Sequence, residues 1–178
     1  WWLKQLPDEA FSELAAILNE VEFAGVWPVQ TMMNIIVLMG KPTGGVRPIA
    51  LMAILYRIWS KARRPTLGDW EQKKQGVWDA AVRGSSALKA ALVGTLFDEM
   101  AVLNGDFVAT ILWDMEKFYD NIDISKLVRL AHKLEYPTRM LAMGLLMHMA
   151  PRVVRAGNTI GICLPPASGI IAGCAQSN

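Results

Sequence analysis

The sequence predicts an α+β fold. Three observations carry that expectation. Pro7 to Phe23 repeats apolar residues at helical spacing, through Phe11, Leu14, Leu18 and Val21. Asn34 to Met39 is an apolar run of strand length that ends in a turn signal. Phe107 to Trp113 is apolar on both alternating faces, as a central buried strand would be.

Taken in order, the first helix has Pro7 suited to its first position. Asp8 and Glu9 face the positive end of the dipole, and Gly25 is a stop. Lys41-Pro42-Thr43-Gly44-Gly45 reads as a turn, and Val46-Arg47-Pro48-Ile49 resumes an extended course, because the residue before a proline is pushed out of the helical region. Ala53 to Arg64 reads as a helix with Ile54, Leu55, Ile58 and Trp59 on one face, ended by Pro65. Residues 66 to 84 carry no clear pattern. Ser85 or Ser86 caps a helix running to about Leu103, broken by Gly105-Asp106. After Phe107–Trp113, Ser125 caps a helix expected to turn Leu127, Leu130 and Leu134 inward. Pro137 separates it from a helix that ends near Ala150 and reads as a buried core element. Arg152–Arg155 and Thr159–Leu164 form two strands around a Gly157-Asn158 turn.

Composition narrows the class. With 53% apolar and 19% charged residues in 178, the chain is neither disordered nor a long charged helix. The net charge of +2 neither demands nor excludes a nucleic-acid partner. No apolar run reaches the ~18 to 20 residues that span a bilayer, and no signal peptide is legible, so no membrane partner is expected. Cys163 and Cys174 are too few for a disulfide framework or a zinc cluster, which fits a reducing intracellular setting. Cys163 is expected in the core. Neither His132 nor His148 has a partner at metal-ligand spacing. Residue 1 is Trp and the chain stops at Gln176-Ser177-Asn178, directly after a glycine-rich stretch; it reads as an internal piece of something longer.

Three local features carry candidate chemistry. In Trp113-Asp114-Met115-Glu116-Lys117-Phe118-Tyr119-Asp120, an apolar run ends in a carboxylate. Asp114 could supply a hard oxygen ligand to magnesium; it fits equally the start of a turn. Lys41 and Arg47 flank a glycine-rich turn. Folded back, they would offer a mobile point charge and a planar fork to phosphate oxygens; left open, they are two solvated cations. In Ser168-Gly169-Ile170-Ile171-Ala172-Gly173-Cys174, two glycines four apart permit close backbone approach by a ligand, or make an ordinary loop. Lys61, Arg63 and Arg64 form a basic cluster at a helix end, favourable to the dipole and able to touch a nucleic-acid backbone.

In order and spacing, these features resemble reverse transcriptases of the non-LTR retrotransposon and group II intron type. Ile35-Ile36-Val37-Leu38-Met39-Gly40-Lys41-Pro42, followed by Arg47-Pro48-Ile49-Ala50-Leu51, looks like the fingers signature "K-P, turn, R-P-I-x-L". Asp114 to Asp120 matches motif A, "D-x-E-K-x-[FY]-D". Ser168-Gly169 through Gly173-Cys174 and Ser177 resembles motif B. Four positions depart from motif B: Ser168 stands for its arginine, Ala172 for its glutamine, and Ala175 and Asn178 for its prolines.

The resemblance implies a right-hand polymerase fold, fingers and incomplete palm, in an RNA-directed DNA polymerase. Residues 1–105 would be a fingers-like region with connecting helices. Residues 106–178 would be a partial palm, with a strand over 106–120, motif A, the start of motif B, and 121–165 returning toward the fingers. By the same resemblance Asp114 is the catalytic carboxylate and, with the Met115 carbonyl, a ligand of two Mg2+ ions. Lys41 and Arg47 hold the triphosphate, Tyr119 selects deoxynucleotides, and Gly169 and Gly173 shape the loop behind the nascent base pair. The implied partners are an RNA template, a DNA primer, a dNTP and the remaining palm and thumb of a parent polyprotein, in a nuclear or cytoplasmic ribonucleoprotein. In the family, motif C, which brings further carboxylates, lies beyond motif B and is not in this sequence, so the 178 residues alone are expected not to polymerise. A non-catalytic, maturase-like RNA-binding module and a degenerate retroelement copy are the alternatives.

Overall fold

The computed structural model describes residues 5–82, 84–172 and 174. The chain folds as α+β in two units, one of residues 1–64 with 119–178, the other of residues 65–118.

The first unit opens with α1 (Asp8–Ala24). Pro7 sits just outside it as the N-cap, in an extended conformation, rather than at the first helical position. Gly25 ends the helix at φ 70°, a left-handed conformation that a side chain resists, and its N–H returns to the Val21 carbonyl at 3.0 Å. Strands β1 (Asn34–Gly40) and β2 (Val46–Leu51) form the expected antiparallel hairpin. After α2 (Ile54–Ala62), the chain returns to this unit as α5 (Ile124–Lys133), α6 (Thr138–His148), β3 (Arg152–Ala156) and β4 (Thr159–Leu164). β3 pairs in parallel with β1, and β4 antiparallel with β3, so the sheet order is β2-β1-β3-β4.

The core of this unit forms where α2 and α6 meet the segment after α1. Tyr56 and Trp59 are each 1% exposed, and Trp27 stands edge-on to both, with ring centroids 5.5 Å away in each case. Edge-to-face packing of this kind adds about 0.5–1.5 kcal/mol per pair beyond the area buried. From α6, Met140, Met143, Gly144 and Met147 recur at helical spacing on the buried face. Glu22 of α1 accepts from the Trp59 indole at 2.8 Å and from Arg63 at 2.6 Å, tying α1 to the end of α2.

The last turn of α6 is buried, and a buried helix end must find donors for its carbonyls. Side chains supply them. Asn34 Nδ2 donates to the Met147 carbonyl at 2.7 Å, and an Arg152 guanidinium nitrogen donates to the His148 carbonyl at 3.2 Å. One turn back, the Trp27 indole donates to the Met143 carbonyl at 2.9 Å. The Asn34 N–H also bonds the Pro151 carbonyl at 2.9 Å, which starts the β1–β3 ladder.

The second unit holds most of α3 (Arg64–Lys74), and α4 (Ala87–Leu103). Pro65 does not simply end α2. That helix stops at Ala62, and Pro65 lies in the first turn of α3, where its missing N–H costs nothing. The Ser86 hydroxyl caps α4, accepting the Lys89 N–H at 3.1 Å. The α4 helix buries no apolar stripe: Leu88, Leu92 and Leu103 on one side and Phe97 on the other are all exposed.

Four sequence expectations need correction. Phe107–Trp113 is not a strand and is not buried: Phe107, Leu112 and Trp113 are exposed. A strand exists as one side of a ladder, and among the described residues every strand belongs to the sheet of the other unit. The α5 helix is capped by Asp123, not Ser125; Asp123 Oδ1 accepts the Lys126 N–H at 3.0 Å, a bond that holds the carboxyl below its usual range. On α5, Ala131 is buried and Leu127 half-buried, whereas Leu130 and, just past the helix, Leu134 are exposed, because α5 meets α6 along a narrow face. Cys163 is exposed, since β4 pairs on one side only and its whole length is solvent-facing.

Asn34 is the natural test of this core. Asn34→Ala removes a buried donor and leaves the Met147 carbonyl with only the 3.4 Å bond from the Ala150 N–H, which should cost about 1–2 kcal/mol in urea unfolding at pH 7. Asn34→Asp should cost more, because it sets an acceptor-only charge against that carbonyl. A midpoint equal to that of the wild type in both variants would mean that α6 does not depend on this contact.

Candidate functional site

Lys41 and Arg47 lie at the tip of the β1–β2 hairpin. Met39 pairs with Arg47 and Gly40 with Val46, and the Lys41 N–H bonds the Gly45 carbonyl at 3.0 Å, continuing that register. Residues two apart on a strand share a face, so Lys41 falls on the face shared by Met39 and Arg47. Gly44 and Gly45, at φ 90° and 82°, supply the left-handed backbone that closes so tight a turn. Both cations are exposed, and neither makes an ion pair among the described residues.

Residues 168–174 are pinned to the rest of their unit at five points. The Ser168 hydroxyl donates to the Asp120 carbonyl at 3.2 Å. The Gly169 N–H donates to the Ile122 carbonyl at 3.1 Å, and the Ile170 N–H to the Tyr119 carbonyl at 2.9 Å. Ile171 N–H donates to His148 Nδ1 at 3.0 Å, and the Tyr56 hydroxyl and Cys174 Sγ are 2.9 Å apart. Gly169 is required twice over. Its φ is +77°, and a Cβ built on it would lie 2.6 Å from the Asp120 carbonyl oxygen and 2.8 Å from that of Tyr119. The close approach expected of a ligand is therefore made by the chain's own backbone. Tyr119 and Gly169, fifty residues apart, are brought together.

Burial sets the electrostatics behind this loop. It pushes His148 down to about 4, with the Arg152 charge adding to the effect, so the imidazole is neutral and free to accept from Ile171. Burial, then the Cys174 thiol, pushes the Tyr56 phenol up, and Tyr136 up to about 12. Tyr56 and His148 were not singled out as site residues from sequence, where each looks like an ordinary core residue, and Cys174 entered only as part of the motif B run; the fold brings Tyr56 and His148 to the loop.

Asp114 and Met115 are exposed in a segment without helix or strand that ends in a turn at Glu116-Lys117. Lys117 takes φ 50°, a left-handed conformation that costs a side chain roughly 1–2 kcal/mol. The 3.8 Å Glu116–Lys117 ion pair is too exposed to offset this. A carboxylate and a carbonyl are the hard oxygen donors magnesium takes. Among the described residues no group of three or more His, Cys, Asp or Glu side chains is placed to hold a metal ion. Gly173, with Gln176 and Ser177 of the motif B resemblance, lies outside the described residues. No helix among the described residues is long and apolar enough to cross a membrane.

No family model matches the chain, and no curated protein matches it. The reading of the site accordingly stands on its residues and their geometry.

Two outcomes follow from the loop. Gly169→Ala should destabilise the chain by more than about 2 kcal/mol, combining positive-φ strain with a backbone clash, as read by thermal or urea unfolding. A smaller loss would mean that 168–170 shifts away from Asp120 at little cost. Because the His148 pKa is lowered on folding, its contribution is full above about pH 6.5 and is lost as pH falls toward about 4. Over that window the wild type should lose on the order of 3 kcal/mol relative to His148→Asn, which keeps an acceptor but cannot protonate. Parallel stability curves for the two proteins would rule this out.

Proposed function

We propose that this chain is part of an RNA-directed DNA polymerase of the retroelement type, with a right-hand fold of which it forms the fingers and part of the palm. The observation that supports the reading best is the seating of Gly169 on Tyr119–Asp120. The resemblance assigns these residues to two separate motifs that serve one nucleotide, and here Gly169 lies against the Tyr119–Asp120 backbone while its neighbour Ile170 donates to the Tyr119 carbonyl. The hairpin tip supports it further, because it presents Lys41 and Arg47 to solvent on one face, without acidic partners among the described residues, as a triphosphate would require.

In this reading Lys41 and Arg47 bind the triphosphate of a dNTP. Tyr119, whose carbonyl accepts the Ile170 N–H, is the residue that selects deoxynucleotides. Asp114 and the Met115 carbonyl contribute to the magnesium site, and the remaining ligands come from the rest of the parent protein. Magnesium, when bound, supplies charge stabilisation to phosphoryl transfer. The RNA template and DNA primer are the remaining substrates.

The test is primer extension on an RNA template by the full-length protein that carries this chain. Asp114→Ala should lower the rate by roughly three orders of magnitude or more, as expected from losing a metal ligand, and should leave RNA binding unchanged. Tyr119→Val should raise incorporation of ribonucleotides relative to deoxyribonucleotides. Extension by the 178-residue chain alone that depends on Asp114 would show that no further carboxylates are needed. Synthesis indifferent to Asp114 would remove it from the catalytic site, and RNA binding by a parent that extends no primer would sink the polymerase reading and leave a non-catalytic RNA-binding module.

A further inference from the structure

A second basic feature lies on α2 and the first residue of α3, apart from the hairpin tip. Arg57 and Lys61 are one helical turn apart and Arg64 follows by three residues, so the three line one side of a cavity of about 490 Å3. That volume lies within the range of small-molecule sites. Leu51 and Met52 contribute an apolar wall, and Ser60 lines the same space. None of the three cations makes an ion pair among the described residues, whereas their neighbour Arg63 is engaged by Glu22. Three like charges gathered without a counter-charge repel one another unless an anion joins them.

Ser60 supplies an independent pointer. It is 1% exposed, and its hydroxyl has no hydrogen-bond partner. Buried hydroxyls are ordinarily satisfied, and a serine within a helix can turn back to the carbonyl four residues earlier. Ser60 does neither. A donor left unpaired beside three unpaired cations and an apolar wall is arranged for a ligand that is anionic and accepts hydrogen bonds.

We infer that this cavity is a phosphate-binding site, in which Arg57, Lys61 and Arg64 hold the charge of a phosphate group and the Ser60 hydroxyl donates to one of its oxygens. Neither the position of these residues nor their free valences rest on the polymerase reading. The phosphate could belong to the backbone of a single-stranded RNA or to a free nucleotide, and the two are separable by experiment.

The 178-residue chain is titrated with fluorescein-labelled U12 RNA, and separately with UTP. Ser60→Ala should weaken binding severalfold while leaving the melting temperature of the free chain unchanged or higher, because it removes an unpaired polar group. A merely structural serine would lower both together. Arg57→Ala with Lys61→Ala should weaken binding at least about tenfold and, for RNA, make the salt dependence shallower by about 0.7 per cation removed. Arg129→Ala, which removes the same charge from α5, should do neither. Binding of U12 but not UTP identifies a polynucleotide backbone, and equal competition by UTP identifies a nucleotide; both support the site. Loss of affinity equal in Arg129→Ala, or binding indifferent to Arg57, Lys61 and Ser60, overturns it. Lys41→Ala is run alongside: affinity lost there but not in the α2 variants would uphold the hairpin and remove this site, and the converse would do the reverse.

Discussion

The carbonyls at the end of α6 organise the larger unit. A buried helix terminus leaves acceptors that water cannot reach; here Asn34 and Arg152 reach the Met147 and His148 carbonyls, and Trp27 adds a bond to the Met143 carbonyl one turn earlier. Each donor comes from a different place: the segment after α1, the first residue of β1 and the first residue of β3. Satisfying one helix end thus fixes the entry of two strands. Asn34 pairs with Arg152 at the start of the parallel ladder, and a slip by one residue would turn every side chain of β1 to the opposite face. The hairpin that carries Lys41 and Arg47 inherits its orientation from that register.

The same helix end positions the loop over 168–174. His148 closes α6, gives its carbonyl to Arg152 and accepts Ile171 on Nδ1. One residue therefore joins the sheet to the loop. Because the nearby positive charge and the burial both favour neutral imidazole, the acceptor is available throughout the neutral range. The loop reaches Tyr119–Asp120 on one side and Tyr56 on the other, which makes Tyr56 a shared wall of the aromatic core and of the cavity lined by Arg57 and Ser60.

Much of this was legible from residue pattern alone. The β1–β2 hairpin, the β3–β4 hairpin, α1 with its Gly25 stop and α4 with its serine cap all follow from local rules, because period, turn residues and caps act over a few positions. The misses share a different cause. Phe107–Trp113 has the composition of a buried strand, but burial and pairing are supplied by other segments, and composition cannot say whether they are near. Asp123 and Ser125 are both competent caps two residues apart, and only the hydrogen bond to Lys126 decides between them. The α3 helix was hidden because Pro65, Gly68 and a mixed polarity erase the apolar period. For the candidate site, the hairpin cations and the Tyr119–Asp120 segment could be marked from spacing. That Gly169 answers to a backbone rather than to a ligand could not, nor could the orphaned Ser60 hydroxyl, because both depend on contacts between distant parts of the chain.

The long sequence separation of these contacts governs when the unit can form. Trp27 reaches Met143 across 116 residues, and Tyr56 reaches Cys174 across 118. During synthesis, the aromatic residues of α2 emerge well before the chain that covers them. At ribosomal speeds of about 5–20 residues per second, the interval is roughly 6–25 s. For that time Trp27, Tyr56 and Trp59 are unsheltered on a nascent chain whose first strand also lacks its parallel neighbour. The topology makes this unit dependent on a late event in translation, and its yield in a cell should track elongation rate and the supply of holding chaperones more closely than its final stability does.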